Sequence, residues 1–140
     1  MKLKKFLEEH NIEAVLISSK YSLRYFTGFT GTTGIALAFA EKRFFFTDFR
    51  YVTQAKKEVE PNGFTVVKVE RGAVDALAEY IKNSGIKKLG IEDKYVTLAE
   101  YVVYKEKFEE IGFVTLGEAL DKLRMIKTEE EIGYIKKAVE

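Results

Sequence analysis

The chain has 140 residues, enough for one domain with a genuine core, and its 46% hydrophobic and 32% charged residues are a soluble globular composition, not a disordered one. Lys plus Arg is 23 and Asp plus Glu is 22, a net charge of +1 that gives no general electrostatic reason to expect a nucleic-acid or anionic-membrane partner. The absence of Cys and the single His, His10, exclude disulfides, thiolate zinc sites, cysteine nucleophiles and any two-histidine site; no apolar run approaches the ~18 residues of a membrane span, and Met1 to Lys5 has no apolar h-region after it, so the cytoplasm is the expected compartment.

Leu3, Phe6 and Leu7 share one face of a helix over residues 2–10. Ala14 to Ile17 reads as a short strand buried on both sides, and Ser18 and Ser19 can cap a helix over 20–26. Thr27 to Gly34 is a loop with three glycines. In Ile35 to Ala40, large and small residues alternate, so a strand there carries Ile35, Leu37 and Phe39 on one face and only alanines on the other. Glu41-Lys42 is a tight turn into a second strand, Arg43 to Thr47, and the two form an antiparallel hairpin. Phe44 and Phe46 point to one face and Phe45 to the other, so both faces of the sheet must be covered.

Asp48 stands where an N-cap belongs, ahead of a helix over 49–59 that carries Tyr51, Val52, Ala55 and Val59 on one face. Pro61-Asn62-Gly63 breaks that helix, and Phe64 to Val69 is a strand. Val74, Leu77, Ala78 and Ile81 keep helical spacing until Gly85. Lys88 to Ile91 is a strand. Thr97 and Glu100 form a capping box for a helix to about Ile111, ended by Gly112. Strands alternating with helices and buried on both faces predict a three-layer α/β/α sandwich with a mixed sheet of about five strands.

The tail reads differently. Glu118 to Ile126 is a short helical piece. Thr128 and Glu131 make a second capping box, opening a helix with Ile132, Ile135 and Val139 on one face and no stop signal before Glu140. Such a helix either begins a further domain or packs back on its own. Gly133 inside it costs roughly 1 kcal/mol relative to Ala, so the helix needs tertiary support.

No complete catalytic constellation emerges from the residues alone. Gly28, Gly31 and Gly34 precede a strand and match neither a dinucleotide fingerprint nor a Walker loop, so they read as a turn with positive φ angles. Asp48-Phe49-Arg50-Tyr51 is the densest polar-aromatic cluster after a strand, the place where α/β sheets bind ligands; Asp48 acting as a cap and Arg50 as a surface ion pair is the plainer reading. Glu92-Asp93 follows another strand and reads as a solvated loop in preference to a metal site. Glu129 to Glu131 are first-turn acids, His10 is a surface or capping residue, and Tyr21, Tyr25, Tyr101 and Tyr104 read as amphipathic packing. A ribonuclease H-type nuclease would need a carboxylate on its first central strand, and Ala14 to Ile17 has none.

Four segments carry a resemblance. Ser22 to Phe29, Ser-Leu-Arg-Tyr-Phe-Thr-Gly-Phe, resembles the N-x-x-Y-L-T-G-F segment of the creatinase/prolidase N-terminal domain, with Ser22 in place of Asn and Phe26 in place of Leu. Thr47 to Tyr51 with Gln54 and Ala55 resembles its T-D-x-R-Y…Q-A. Gly90-Ile91-Glu92 is similar to the next strand end. Leu123 to Thr128, with Glu131, Ile132 and Lys136 to Ala138, resembles the L-R-x-I-K-[ST]-x-x-E-I junction.

The resemblance implies a ribonuclease H-like N-terminal domain over residues 1–123, with 124–140 as the junction and first helix of a catalytic pita-bread domain cut short. It implies a parent Xaa-Pro dipeptidase or aminopeptidase P, the dipeptidase favoured because the N-domain is short. In that family two Asp, one His and two Glu hold two divalent ions (Mn, Co or Zn); those ligands and any catalytic or metal residue are expected outside this chain, which alone is expected to be inactive. The implied partners are its own catalytic domain, a second copy in a homodimer and short Xaa-Pro peptides. Residues implied to enclose the active site or touch the dimer partner are Tyr25, the loop Thr30, Gly31, Thr32 and Thr33, Asp48 and Arg50. Two other readings stand beside this: a free-standing dimerisation module of the same fold, and the N-domain of a metal-independent, creatinase-type amidinohydrolase.

Overall fold

The structure, a computed structural model, describes residues 2–70 and 72–123. The elements run α1 (Lys2–Glu9), β1 (Ala14–Ile17), α2 (Lys20–Thr27), β2 (Ile35–Phe39), β3 (Arg43–Thr47), α3 (Val52–Val59), a 3-10 turn (Glu60–Asn62), β4 (Thr65–Lys68), α4 (Val74–Ser84), β5 (Lys88–Ile91), α5 (Leu98–Lys107) and β6 (Gly112–Thr115), and residues 119–123 are helical. The strands of the described residues form one sheet in the order β4-β3-β2-β1-β5-β6. Only β2 runs against the others: β1–β2 and β2–β3 are antiparallel, while β3–β4, β1–β5 and β5–β6 are parallel.

The period-2 pattern of the hairpin sorts the core into two layers. Ala36, Ala38 and Phe45 face the side covered by α1, α2 and α3, where they meet Leu3, Phe6, Leu23, Ala55 and Val59. Leu37 and Phe46 face the other side, against Leu77 and Ile81 of α4 and Tyr104 and Phe108 of α5. The alanine face of β2 has no bulk to hold α2 away, while Leu37 on the other face packs in the layer of α4 and α5. Each fully buried Leu, Ile or Phe contributes about 1.5–3 kcal/mol by leaving water, so these two layers carry most of the stability.

Caps fix the helix ends as expected. The Ser19 side chain accepts from the Ser22 N–H at the start of α2, and Thr97 and Glu100 form both bonds of a capping box on α5. Gly85 closes α4 in the left-handed region.

Two elements differ from the reading of the sequence. The sheet has six strands, because α5 ends at Lys107, short of the expected Ile111, and Gly112 starts β6, paired to β5 in register Lys88–Gly112 through Ile91–Thr115. Its four residues, Gly-Phe-Val-Thr, are too few for a clear alternation, and only the parallel neighbour makes them a strand. The second difference is Asp48, which does not cap α3. That helix starts four residues later, at Val52, with Tyr51 at its N-cap and no side-chain cap bond. The second capping box and helix expected over 124–140 lie outside the described residues.

Candidate functional site

The carboxyl ends of β1, β3, β4, β5 and β6 and the start of β2 all lie along one margin of the sheet, the usual place for ligands in an open α/β fold. Chains leaving β1 and β5 pass to opposite faces, which opens a crevice between them. That crevice is filled from within. Glu92, 3% exposed, accepts from the Ser18 and Ser19 N–H groups at 2.8 and 3.0 Å with Oε1. Its Oε2 accepts from the Ser19 and Ser22 hydroxyls at 2.9 and 2.7 Å. Glu92 is therefore not part of a solvated loop, as its neighbours suggest, but a buried hub. The adjacent Asp93 stays exposed and accepts from the Gly117 N–H at 2.8 Å. Among the described residues no three of His, Cys, Asp and Glu converge as metal ligands.

The open part of the margin lies over β2 and β3. Here the loop 28–34 is tied to the start and length of α3. The Thr33 carbonyl accepts from the Thr47 hydroxyl at 2.6 Å. The Thr32 hydroxyl and the Tyr51 phenol are 2.9 Å apart. Thr30 donates its N–H and hydroxyl to the Glu58 carboxylate at 3.1 and 2.8 Å, and the Gln54 amide bridges the two. Partial burial pushes the Glu58 carboxyl up, but the donations from Thr30 and Gln54 outweigh it and hold the group below its ordinary value.

The three glycines of this loop divide the work differently from a run of positive φ angles. Gly28 alone is left-handed, at φ 87°, closing α2 with its N–H on the Arg24 carbonyl. Gly31 and Gly34 are there for space: a Cβ would overlap the Phe29 ring at the first and the Phe45 ring at the second.

Asp48 and Arg50 sit at the end of β3. Asp48 Oδ1 accepts from the Arg50 N–H at 2.9 Å, and its two oxygens accept from Arg50 Nε and Nη2 at 3.1 and 2.8 Å. The side-chain bond from Arg50 holds the Asp48 carboxyl below its usual value, while Asp48 raises the guanidinium. This fork locks the turn that lifts Phe49 out of the sheet, where its ring is 72% exposed. Arg50 also lies over the Tyr51 ring, 5.4 Å from its centroid. The margin therefore presents a guanidinium, threonine hydroxyls and an uncovered aromatic ring. These groups can hold and shield a small polar ligand or a partner surface.

Of the residues singled out from sequence, the hydrogen bonds tie Thr30, Thr32 and Thr33 to α3 and the end of β3, where Asp48 and Arg50 follow directly. Tyr25 lies on α2 with its ring edge-on to Phe26 at 4.8 Å. Missed from sequence were Glu58 and Tyr51 as partners of the loop. The signal was present: Tyr51, Gln54 and Glu58 stand at i, i+3 and i+7, a polar stripe beside the buried Ala55 and Val59.

Comparison with known proteins supplies the wider context. The family model described as Creatinase/Prolidase N-terminal domain matches residues 1–126. A Bacillus subtilis (strain 168) protein named Uncharacterized peptidase YqhT is 36% identical over 98% of this chain, and the Xaa-Pro dipeptidase of Pyrococcus furiosus is 34% identical over 99%. The chain spans 38% of the length of each. Among solved structures, the Xaa-Pro dipeptidase of Bacillus anthracis superposes with a TM-score of 0.79 at 34% identity, covering 86% of this chain and 33% of that one. The N-terminal domain of the cytoplasmic peptidase PepQ of Mycobacterium tuberculosis H37Rv superposes with a TM-score of 0.78 at 30% identity, covering 87% of this chain and 95% of that one.

Proposed function

The chain belongs to the creatinase/prolidase N-terminal domain family, and from that premise we propose that it serves as the non-catalytic N-terminal domain of a cytoplasmic Xaa-Pro metallopeptidase. The observation that carries the reading is the family match over residues 1–126, together with relatives more than twice as long, two of them named Xaa-Pro dipeptidases. The dipeptidase form is preferred for the shortness of the domain, and relatives named Xaa-Pro aminopeptidase match the chain as well. The residues described here do not offer a metal-ligand cluster. In such an enzyme a further domain would hold the two divalent ions, which would supply an activated water.

In this reading the domain enclosing the active site does so with the margin over β2 and β3. The loop Thr30 to Thr33, held by Tyr51, Gln54 and Glu58, forms a rigid wall. Asp48 fixes the Arg50 guanidinium so that it can meet a peptide carboxylate or an acidic partner surface, and Tyr25 is a further candidate contact. A wall of this kind limits substrate length, and a second copy of the enzyme supplies the other side in a homodimer.

The test uses the natural reading frame. Sequence beyond codon 140 is expected to encode a domain with two Asp, one His and two Glu, and the full-length protein with manganese is expected to cleave an Xaa-Pro dipeptide faster than a longer Xaa-Pro peptide. Arg50→Ala in that protein is expected to raise KM with little change in kcat. A stop codon at this point, or hydrolysis of creatine without metal, overturns the reading.

A further inference from the structure

At the opposite end of the sheet, the β2–β3 hairpin, the end of α1 and the end of α4 enclose an open groove of about 1040 Å³. It shares no residue with the margin described above. Its floor is apolar: Leu7 and Ile12 on one side, Phe39, Phe44, Tyr80 and Ile86 on the other. The aromatic rings form a continuous edge-to-face set, Phe39–Phe44 at 6.1 Å and Phe44–Tyr80 at 4.8 Å, which fixes the shape of the floor.

The rim has a sign. Glu8, Glu13, Glu41 and Glu79 line it against a single cation, Lys42, in a chain whose total charge is nearly balanced. Two of these carboxylates are already engaged. Glu13 accepts from the Lys87 and Lys88 N–H groups at 2.9 and 3.2 Å, and Glu41 pairs with Lys4 at 2.6 Å. Glu79 makes no salt bridge among the described residues, and Glu8 shares only the longer-range field of Lys4, whose ammonium is held by Glu41; the two carboxylates project from helices on opposite faces of the sheet. An apolar floor flanked by two available carboxylates repels an anion and leaves the charges of the rim unanswered by a purely apolar ligand. It fits a ligand that is apolar in the middle and cationic at both sides.

We propose that this groove binds a cationic amphipathic peptide segment, one with aliphatic or aromatic side chains seated on Phe39, Phe44 and Tyr80 and Lys or Arg side chains directed to Glu8 and Glu79. At about 1040 Å³ the groove stands at the upper end of small-molecule pocket volumes, which suits a peptide segment better than a compact metabolite.

The test is a fluorescence-anisotropy titration of the 140-residue chain with a labelled peptide alternating lysine and leucine. Its counterpart with glutamate for lysine is run in parallel. The lysine peptide is expected to saturate, to weaken as salt rises and to bind roughly tenfold more weakly to the Glu8→Lys, Glu79→Lys double variant, with the melting temperature unchanged. Amide shifts on binding are expected at Ile12, Phe39 and Phe44. Equal binding of the glutamate peptide, binding that survives the double reversal, or shifts confined to residues 28–34 and 47–54 at the opposite margin overturn the proposal. So does a concentration-dependent dimer that the double reversal abolishes, since the occupant is then a second copy of the chain.

Discussion

Glu92 and Ser22 stand 70 residues apart in the chain and 2.7 Å apart in space, and their hydrogen bond is one of four that converge on the same buried carboxylate. This bond set joins the end of β5 to the turn between β1 and α2. It closes the crevice where an open α/β sheet would otherwise receive a ligand, which leaves the β2–β3 side of the margin as the exposed surface.

Removing that carboxylate should be costly. Glu92→Ala leaves two N–H and two O–H donors without their acceptor, and we expect a loss of about 3 kcal/mol in urea unfolding. Glu92→Gln keeps one acceptor oxygen, and the serine hydroxyls can turn to accept from the amide, so about 1 kcal/mol is expected. Equal losses for the two variants would show that the charge of the carboxylate, and not the number of acceptors or the volume it fills, sets the cost.

Gly28 and Gly85 offer a controlled pair. Both end helices with positive φ, 87° and 73°, so alanine at either pays the left-handed penalty of roughly 1–2 kcal/mol. A Cβ at Gly85 meets nothing within 4 Å, whereas at Gly28 it comes within 2.8 Å of Asn62 Nδ2 and 2.9 Å of the Glu58 carbonyl. Gly28→Ala should therefore cost about 1 kcal/mol more than Gly85→Ala and should loosen the loop it anchors. Identical melting temperatures for the two variants would contradict the close approach.

The carboxyls of the candidate site give a pH signature. Asp48 and Glu58 are both held below their ordinary values in the folded chain. Their contribution is present above the unfolded-state pKa of each and is lost as the pH falls through the lower, folded value. Carbon NMR titration should place both midpoints below those of free side chains. Arg50→Ala should move Asp48 back up and leave Glu58 unchanged; Thr30→Val should do the reverse. A shift of both carboxyls by either variant would mean they titrate as one network.

Tyr104 on α5 predicts the alkaline limit. The residue is 3% exposed, and burial, aided by Glu100, raises its phenol to about 12 from the usual value near 10. With the folded pKa raised, stability is intact below pH 10 and declines between pH 10 and about 12, where only the unfolded chain ionises this group. Tyr104→Phe should flatten that decline and delete the last step of the ultraviolet titration of the tyrosines. If the steepest loss above pH 10 persists in the variant, another group is responsible.

Several features of the fold are written within a few residues of one another, and these are legible in the sequence. The two faces of β2 follow from period-2 alternation. The capping box of Thr97 and Glu100 lies within one helical turn, as does the stop at Gly85. The loop 28–34 and the turn at Asp48 are visible as segments. Their mutual binding is not, because Thr33 to Thr47 and Thr30 to Glu58 are contacts between elements. The helix expected from Asp48 begins at Val52, and the Asp48 carboxylate is instead taken up by the Arg50 N–H and guanidinium.

The sequence by itself determined the presence of α1 to α5, five of the six strands, the alternation of their faces and the family to which they belong, since each depends on local spacing and short motifs. Only the tertiary structure decided which of two adjacent acids, Glu92 or Asp93, is buried. The choice depends on which way β5 ends relative to Ser18, Ser19 and Ser22, and that relation exists only after β1 and β5 pair in parallel. The same is true of β6, whose four residues become a strand through pairing with β5. Local chemistry encodes what a segment is; the burial and hydrogen bonding of a side chain are properties of the neighbours that the fold brings to it.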